Sequence, residues 1–173
     1  KTYVKQLCQE GRLEHYMQYV SLDGWGTRAE YMRHPMNFEL VWDRVNQFLA
    51  EIPYRNSLTF IVTMNNLSVT SLENLFAGIL GLRKSYSQTY QRVWFDTPIL
   101  RSPSWQSIQI LPESYAEKLE EVWAFMVGKS ELPGDVPHKG FKDYEIQRIQ
   151  RVIDNMREGC NLDPEYVKLQ KAD

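Results

Sequence analysis

Polar side chains follow two apolar runs of this chain, at the points where predicted strands end. Ser21 and Asp23 close the first run, just before Gly24, and Asn65 follows the second run, Leu58 to Met64. Ligands of α/β folds bind at the carboxyl ends of parallel strands, because the loops there carry function while the other end carries stability. We therefore expect Ser21, Asp23 and Asn65 to lie on one edge of a sheet, in one concave region that could bind a polar ligand.

Each of these residues also has a purely structural interpretation. An Asp-Gly pair such as Asp23-Gly24 is common in turns, where the Asp side chain bonds nearby backbone, and Asn65 has the same tendency. Arg33 lies close enough along the chain to form an ion pair with Glu30 or Asp23. A surface pair of that kind contributes little to stability. Ligand binding and local turn formation are therefore two open interpretations of the same side chains.

Three strand-then-helix units are predicted to position these residues. We predict strands at about 15–22, 58–64 and 92–96 from their apolar runs. Strands that alternate with helices favour βαβ units and a parallel sheet. The predicted fold class is therefore α/β.

The helix starts are predicted from capping signals. Asn37 is a suitable N-cap for a first helix, and Thr70 to Glu73 matches the capping box of a second helix. Pro112 is expected to open a third helix that ends near Val127, and Ile108 to Leu111 is predicted as a short extra strand.

Composition and charge limit the class of protein. The chain has 173 residues, of which 43% are hydrophobic and 13% aromatic, enough for a packed core. The net charge of −2 does not favour nucleic-acid binding. No apolar run approaches the roughly 20 residues of a membrane span, and the two cysteines, Cys8 and Cys160, match no metal spacing. We expect a cytoplasmic protein that binds neither nucleic acid nor membrane.

The composition changes after Gly128. Residues 130–140 contain two prolines and two glycines, which is typical of a linker, and an amphipathic helix is predicted at about Asp143 to Glu158. We place a domain boundary between residues 128 and 129. A helical pattern from Lys1 and a helix start at Asp163 to Glu165 lead us to expect an internal piece of a longer protein.

Five segments, in this order, resemble the radical S-adenosylmethionine (radical SAM) superfamily, and within it the subgroup that carries a short C-terminal twitch domain. The resemblance covers roughly residues 1–160, and it rests on the order of the motifs rather than on any single one. The segments are Ser21-Leu22-Asp23-Gly24, Ala29 to His34, Asn37 to Leu49, Leu58 to Leu67 and Gly140 to Tyr144.

This resemblance implies a fold, a cofactor and a set of binding residues. Residues 1–128 would form the C-terminal half of a TIM-type barrel with about three βα units, and residues 129–173 a linker and the start of the twitch-type extension. Ser21, Asp23, Arg33 and Asn65 would bind S-adenosyl-L-methionine. The family uses a [4Fe-4S] cluster to cleave this cofactor to a 5′-deoxyadenosyl radical, here with a peptide or small metabolite as the expected substrate. The resemblance identifies no catalytic residue.

The chain departs from the family in one important respect. The Cys-x3-Cys-x2-Cys loop that holds the cluster is absent, as is the Gly-Gly-Glu type motif, and both belong to the N-terminal half of the barrel. We expect that missing half to be a partner of this segment, which by itself should be inactive and hold no cluster. The alternative is a non-catalytic α/β binding or scaffold module. Gly24-Trp25-Gly26 lacks the spacing of a phosphate-binding loop, so a nucleotide-binding module is not favoured.

Overall fold

The computed structural model describes residues 2–52 and 56–160, which form a small open parallel sheet with helices. The strands are β1 (Tyr16–Ser21), β2 (Asn56–Ile61) and β3 (Val93–Asp96). They lie in the order β1-β2-β3, and both neighbouring pairs are parallel. The predicted α/β class with a parallel sheet is therefore confirmed.

Six α-helices surround or follow these strands in the described part of the chain. None of them is long and apolar enough to cross a lipid bilayer. The helices are α1 (Thr2–Gln9), α2 (Thr27–Met32), α3 (Phe38–Glu51), α4 (Leu72–Tyr86), α5 (Ser114–Val127) and α6 (Asp143–Cys160), with short 3-10 helices at Val69–Ser71, Ser104–Gln106 and Ile108–Ile110.

Helix α3 begins where the sequence predicts. The side chain of Asn37 accepts a hydrogen bond from the Leu40 N–H at 2.8 Å, which satisfies one of the exposed amides at the helix start. The Glu30 carboxylate accepts a second bond, from the Phe38 N–H at 2.8 Å. The predicted cap at Asn37 is confirmed, and Glu30 contributes a second one.

The capping box predicted at Thr70 to Glu73 is wrong. Thr70 lies inside the 3-10 helix Val69–Ser71, and Ser71, the N-cap of α4, makes no side-chain capping bond. The chain turns earlier, at Asn65, whose side chain accepts the backbone N–H groups of Leu67 and Ser68. Because Thr70 already lies in a 3-10 helix, it cannot be the N-cap of α4.

The short strand predicted at Ile108 to Leu111 is also wrong. These residues form the 3-10 helix Ile108–Ile110, which begins where the Ser107 hydroxyl accepts the Gln109 N–H at 3.2 Å. Ile108 is fully buried, and this segment packs against α6. An apolar side chain can be buried without strand pairing, which a short apolar run does not distinguish.

Helices α3 and α4 cover the same face of the sheet. Trp42 of α3 stacks on Phe60 of β2 at 5.9 Å between ring centroids, and Phe76 of α4 lies 4.9 Å from Phe95 of β3. Phe60 and Phe95 are register partners, so their side chains point to one face. On the other face Tyr19 is 58% exposed. The sheet therefore has one covered face and one open face.

The segment after residue 128 shares the core of the rest of the fold. Phe141 is fully buried and its ring lies about 6 Å from those of Phe76, Phe95 and Phe125. Residues 129–160 are thus packed onto the sheet's helices rather than held apart as a separate core. The helix start predicted at Asp163 to Glu165, like the rest of 161–173, lies outside the described residues, and the boundary at 128/129 stays a prediction.

Candidate functional site

Asp23 connects the ends of the first two strands. It lies two residues beyond β1 and is 6% exposed. Its Oδ1 atom accepts the backbone N–H of Thr63, just beyond β2, at 2.8 Å. Arg33 donates to both carboxylate oxygens, from Nε to Oδ2 at 2.9 Å and from Nη2 to Oδ1 at 3.1 Å. Of the two ion-pair partners considered for Arg33, Asp23 is the one that it contacts.

The backbone between Asp23 and Arg33 allows this contact. Gly26 has a φ of +58°, a conformation that glycine adopts without steric cost. The chain then enters α2, which the sequence patterns did not predict, and Arg33 follows its last residue. Gly24 is packed closely, because a Cβ atom there would lie 2.5 Å from the Ser71 hydroxyl oxygen. A tight turn followed by a six-residue helix thus returns the chain to the strand end.

Asn65 forms a local turn, which was the structural interpretation of this residue. Its Oδ1 atom accepts the N–H groups of Leu67 and Ser68 at 2.9 and 3.2 Å, and its Nδ2 atom donates to the Thr63 carbonyl at 3.1 Å. The side chain is buried. Asn65 therefore has a structural role in the loop.

Ser21 is separated from the other three residues. It is the last residue of β1, it is exposed, and it shares the open face of the sheet with its register partner Ile61. Asp96 of β3 pairs with Ile61 on the other side, so Ser21, Ile61 and Asp96 form one row across the sheet's carboxyl end.

Three of the four predicted residues line one cavity at this edge. The cavity has a volume of about 270 Å³, and Ser21 does not contribute to it. Thr63 comes from the end of the predicted second strand, whereas Leu100 and Gln106 come from the loop after β3. The lining residues are Asp23, Met32, Arg33, Thr63, Asn65, Leu67, Leu100 and Gln106.

Backbone contacts bring the loop after β3 to the cavity. The Met64 N–H donates to the Pro98 carbonyl at 2.7 Å, and the Asn66 N–H donates to the Gln106 carbonyl at 2.9 Å. The Asn66 side chain also binds the carbonyl of Trp105 at 2.9 Å. The contacting residues are about 35 to 40 positions apart in the chain, so local spacing could not place Gln106 at this edge of the sheet.

Three larger cavities lie away from the strand carboxyl ends. One, of about 440 Å³, runs beside β1 and α3 and has a mostly apolar lining in which Arg44 is the charged residue. A second, of about 590 Å³, lies at the amino ends of the strands, near His15, Ser57 and Trp94. A third, of about 340 Å³, lies between the ends of α3 and α4, near Arg92. We favour the smaller cavity as the site because it combines a buried carboxylate, a guanidinium and an amide at the edge where α/β folds bind ligands.

Within residues 2–52 and 56–160, no group of three or more His, Cys, Asp and Glu side chains is placed to hold a metal ion. Comparisons of the chain with protein-family models, curated proteins and solved structures found no match. A function for this chain must therefore be argued from the geometry of the site.

Proposed function

We propose that this chain forms the S-adenosyl-L-methionine-binding edge of a radical SAM protein with a twitch-type extension. The observation that carries the proposal is the meeting of Asp23, Arg33 and Asn65 around one cavity at the strand carboxyl ends. These residues come from segments that resemble the family, and the family's cofactor binds at that edge of its barrel.

The sheet order supports the barrel part of the proposal. Each strand pairs in parallel with the next strand in the chain, and the helices between them pack on one face. Consecutive βα units of a TIM-type barrel have this arrangement. Residues 1–128 would then be the C-terminal half of the barrel, and the open face bearing Met17, Tyr19 and Ser21 would line its interior.

The cavity volume limits what can bind in it. Its 270 Å³ is slightly below the ~300–1,000 Å³ of typical small-molecule sites. We infer that it takes one end of the cofactor, the amino-acid group next to Arg33. The remainder would lie along the open face, where the Ser21 hydroxyl is accessible.

In the full-length parent, one-electron reduction of the bound cofactor by a [4Fe-4S] cluster held outside this segment would supply a 5′-deoxyadenosyl radical for a reaction on a peptide or small metabolite. This chain cannot hold a [4Fe-4S] cluster by itself, because a cluster needs three closely spaced thiolates. The chain has only two cysteines, Cys8 and Cys160, and they are far apart in the sequence. The residues of this chain do not fit the cluster, and their part in the proposal is to bind and orient the cofactor and substrate.

One observation favours the alternative, a non-catalytic binding or scaffold module. The Asp23 carboxylate already accepts hydrogen bonds from Arg33 and from the Thr63 backbone. The Asn65 side chain already accepts the backbone N–H groups of Leu67 and Ser68. Buried side chains that satisfy one another can hold a loop together without any ligand.

Calorimetric titration with S-adenosyl-L-methionine separates the two functions. We expect measurable binding that Ser21→Ala weakens by roughly two- to tenfold, as removal of one hydrogen bond of about 0.5–1.5 kcal/mol predicts. Ser85→Ala, on the exposed end of α4, is the matched control and should bind like the wild type. Absence of binding, with the protein folded by circular dichroism, would contradict the cofactor proposal and support the scaffold alternative.

A further inference from the structure

The cavity at the amino ends of the strands has no part in the proposed function. It lies at the end of the sheet opposite to Asp23 and Arg33, and its volume is about 590 Å³. Small-molecule sites typically have volumes of ~300–1,000 Å³. Met17 of β1 and Trp94 of β3 line it from the open face of the sheet, and Gln91 lines it from the loop before β3. The cavity is therefore large enough for a ligand of its own.

Gln91 brings a hydrogen-bond acceptor without a partner to this cavity. The residue is only 4% exposed, and its Oε1 atom has no hydrogen bond within the described residues. The Nε2 atom of the same amide donates to the Val93 carbonyl at 3.3 Å. A buried polar atom without a partner costs free energy and is uncommon in folded proteins. A ligand that donates a hydrogen bond to Oε1 would remove that cost.

The fold does not depend on the one hydrogen bond that the Gln91 amide makes. The Val93 carbonyl also accepts the Nε–H of Arg83 at 3.0 Å. It would stay bonded if an apolar side chain of similar size replaced Gln91, and the unpaired oxygen would be gone. We therefore expect the amide to contribute little or nothing to stability. Polar groups that do not favour folding are found mainly where function requires them.

The other lining residues indicate which class of ligand fits. In the described part of the chain, the lining contains one carboxylate, that of Glu14, and no Lys or Arg. Trp94 supplies an indole ring, whose face attracts cations. A guanidinium group is planar, stacks on aromatic rings and offers several N–H donors. An anion would instead meet a like charge and an acceptor oxygen.

We propose that the cavity at the amino ends of the strands binds a planar cation of the guanidinium type. The Trp94 ring stacks on the face of the cation, and Gln91 Oε1 accepts one of its N–H groups. Glu14 adds an attractive charge to the same cavity. This site goes beyond the proposed function, because S-adenosyl-L-methionine is assigned to the other end of the strands.

The test is a titration of the full chain with phenylguanidinium and with phenylurea, a neutral probe of nearly the same shape, followed by NMR shifts of the side-chain amides and indoles. We expect phenylguanidinium to bind at least about tenfold more tightly, as a partly desolvated cation–π contact predicts. Gln91→Leu and Trp94→Leu should each weaken its binding by about fivefold or more. Gln88→Leu is the matched control, because Gln88 is exposed and does not line this cavity.

A thermal denaturation of Gln91→Leu completes the test, and its unfolding temperature should equal or exceed that of the wild type. Each other outcome overturns the inference. Equal binding of the two probes, or of neither, would show that the cavity does not select a cation. Unchanged binding in Gln91→Leu would show that its oxygen does not contact the ligand, and a variant that fails to fold would show that the amide is structural. The proposed function is measured with a different ligand at the other end of the strands, so it stands or fails separately.

Discussion

At the scale of single residues, Arg83–Glu145 is the most deeply buried ion pair in the described part of the chain. Both side chains are 0% exposed, and Nη2 lies 2.5 Å from Oε1. Arg83 also donates to the carbonyls of Val93 and Gly140. Its guanidinium carbon lies 5.5 Å from the ring centre of Phe95. The pair joins α4, β3 and α6, because the guanidinium finds acceptors on β3, at Gly140 and on α6.

We predict that removal of one partner of this pair is far more harmful than removal of both. Arg83→Met should lower the free energy of unfolding by about 3–5 kcal/mol, because Glu145 is left as a buried, unpaired charge. The double variant Arg83→Met, Glu145→Leu should recover much of that loss, since no charge is then buried. Urea denaturation measures both. A double variant as unstable as the single one would show that the hydrogen bonds, rather than charge burial, dominate.

At the scale of elements, helix α4 depends on how closely its neighbours approach. Gly78 faces the aromatic cluster of Trp25, Trp42 and Phe38, and a Cβ atom there would lie 2.4 Å from the Trp25 ring. Gly81 lies on the exposed side of the same helix, where a Cβ atom would have no neighbour within 4 Å. Trp25 is thus a packing residue, placed against α3 and α4.

These two glycines form a matched pair for mutation. Gly78→Ala should destabilise the protein by about 1–3 kcal/mol, as expected when a well-packed contact is overfilled. Gly81→Ala should be neutral or stabilise it by up to about 1 kcal/mol, because alanine favours a helix interior. Thermal denaturation of the two variants compares them directly. Equal effects would contradict the packing of Trp25 against Gly78.

Another element contact fixes the end of α3. Arg92, next to the start of β3, donates to the carbonyls of Leu49, Ile52 and Asn56 at 2.7–3.0 Å. Burial lowers the pKa of its guanidinium. The carbonyls at a helix C-terminus carry partial negative charge, which favours a cation there. The start of one strand thus holds the end of a helix that lies about 40 residues earlier.

At the scale of the whole molecule, one ion pair and several hydrogen bonds hold the connection between α5 and α6 in place. Glu131 pairs with Lys142 and accepts the Gly140 N–H at 3.2 Å. Lys139 donates to the last-turn carbonyls of α4, at residues Arg83 and Lys84. Burial by itself raises the pKa of Glu131, but the bonds from Lys142 and Gly140 outweigh it and hold that pKa below its ordinary value.

This shift predicts how stability depends on pH. Because the pKa of Glu131 is lower in the folded state, its contribution is fully present above the unfolded pKa, about 4.3. That contribution is lost as pH falls through the folded pKa. Glu131→Gln should therefore be less stable than the wild type at pH 7 and should lose less stability between pH 5 and pH 3. Urea denaturation across this range measures the effect, with Glu117→Gln on the exposed side of α5 as the control. An unchanged pH profile in Glu131→Gln would contradict it.

Local patterns were sufficient for much of the fold. The three strands, the Asn37 cap and the long helices follow from apolar runs, periodicity and capping residues, which act within a few positions of the chain. The direction of parallel strands also placed Asp23 and Asn65 at one edge before their contacts were known. What local patterns did not predict was α2, the 3-10 helix at residues 108–110 and the true start of α4.

The sequence by itself therefore determined the α/β class, the parallel direction of the strands and the edge where Asp23 and Asn65 lie, because these depend on short-range preferences and chain direction. Only the tertiary structure decided that Arg33 pairs with Asp23 rather than Glu30, that Ser21 lies outside the cavity, and that Gln106 reaches it. It also decided that Arg83 meets Glu145, 62 residues away. Such choices depend on which groups packing brings together and leaves without water, and no spacing in one sequence encodes that.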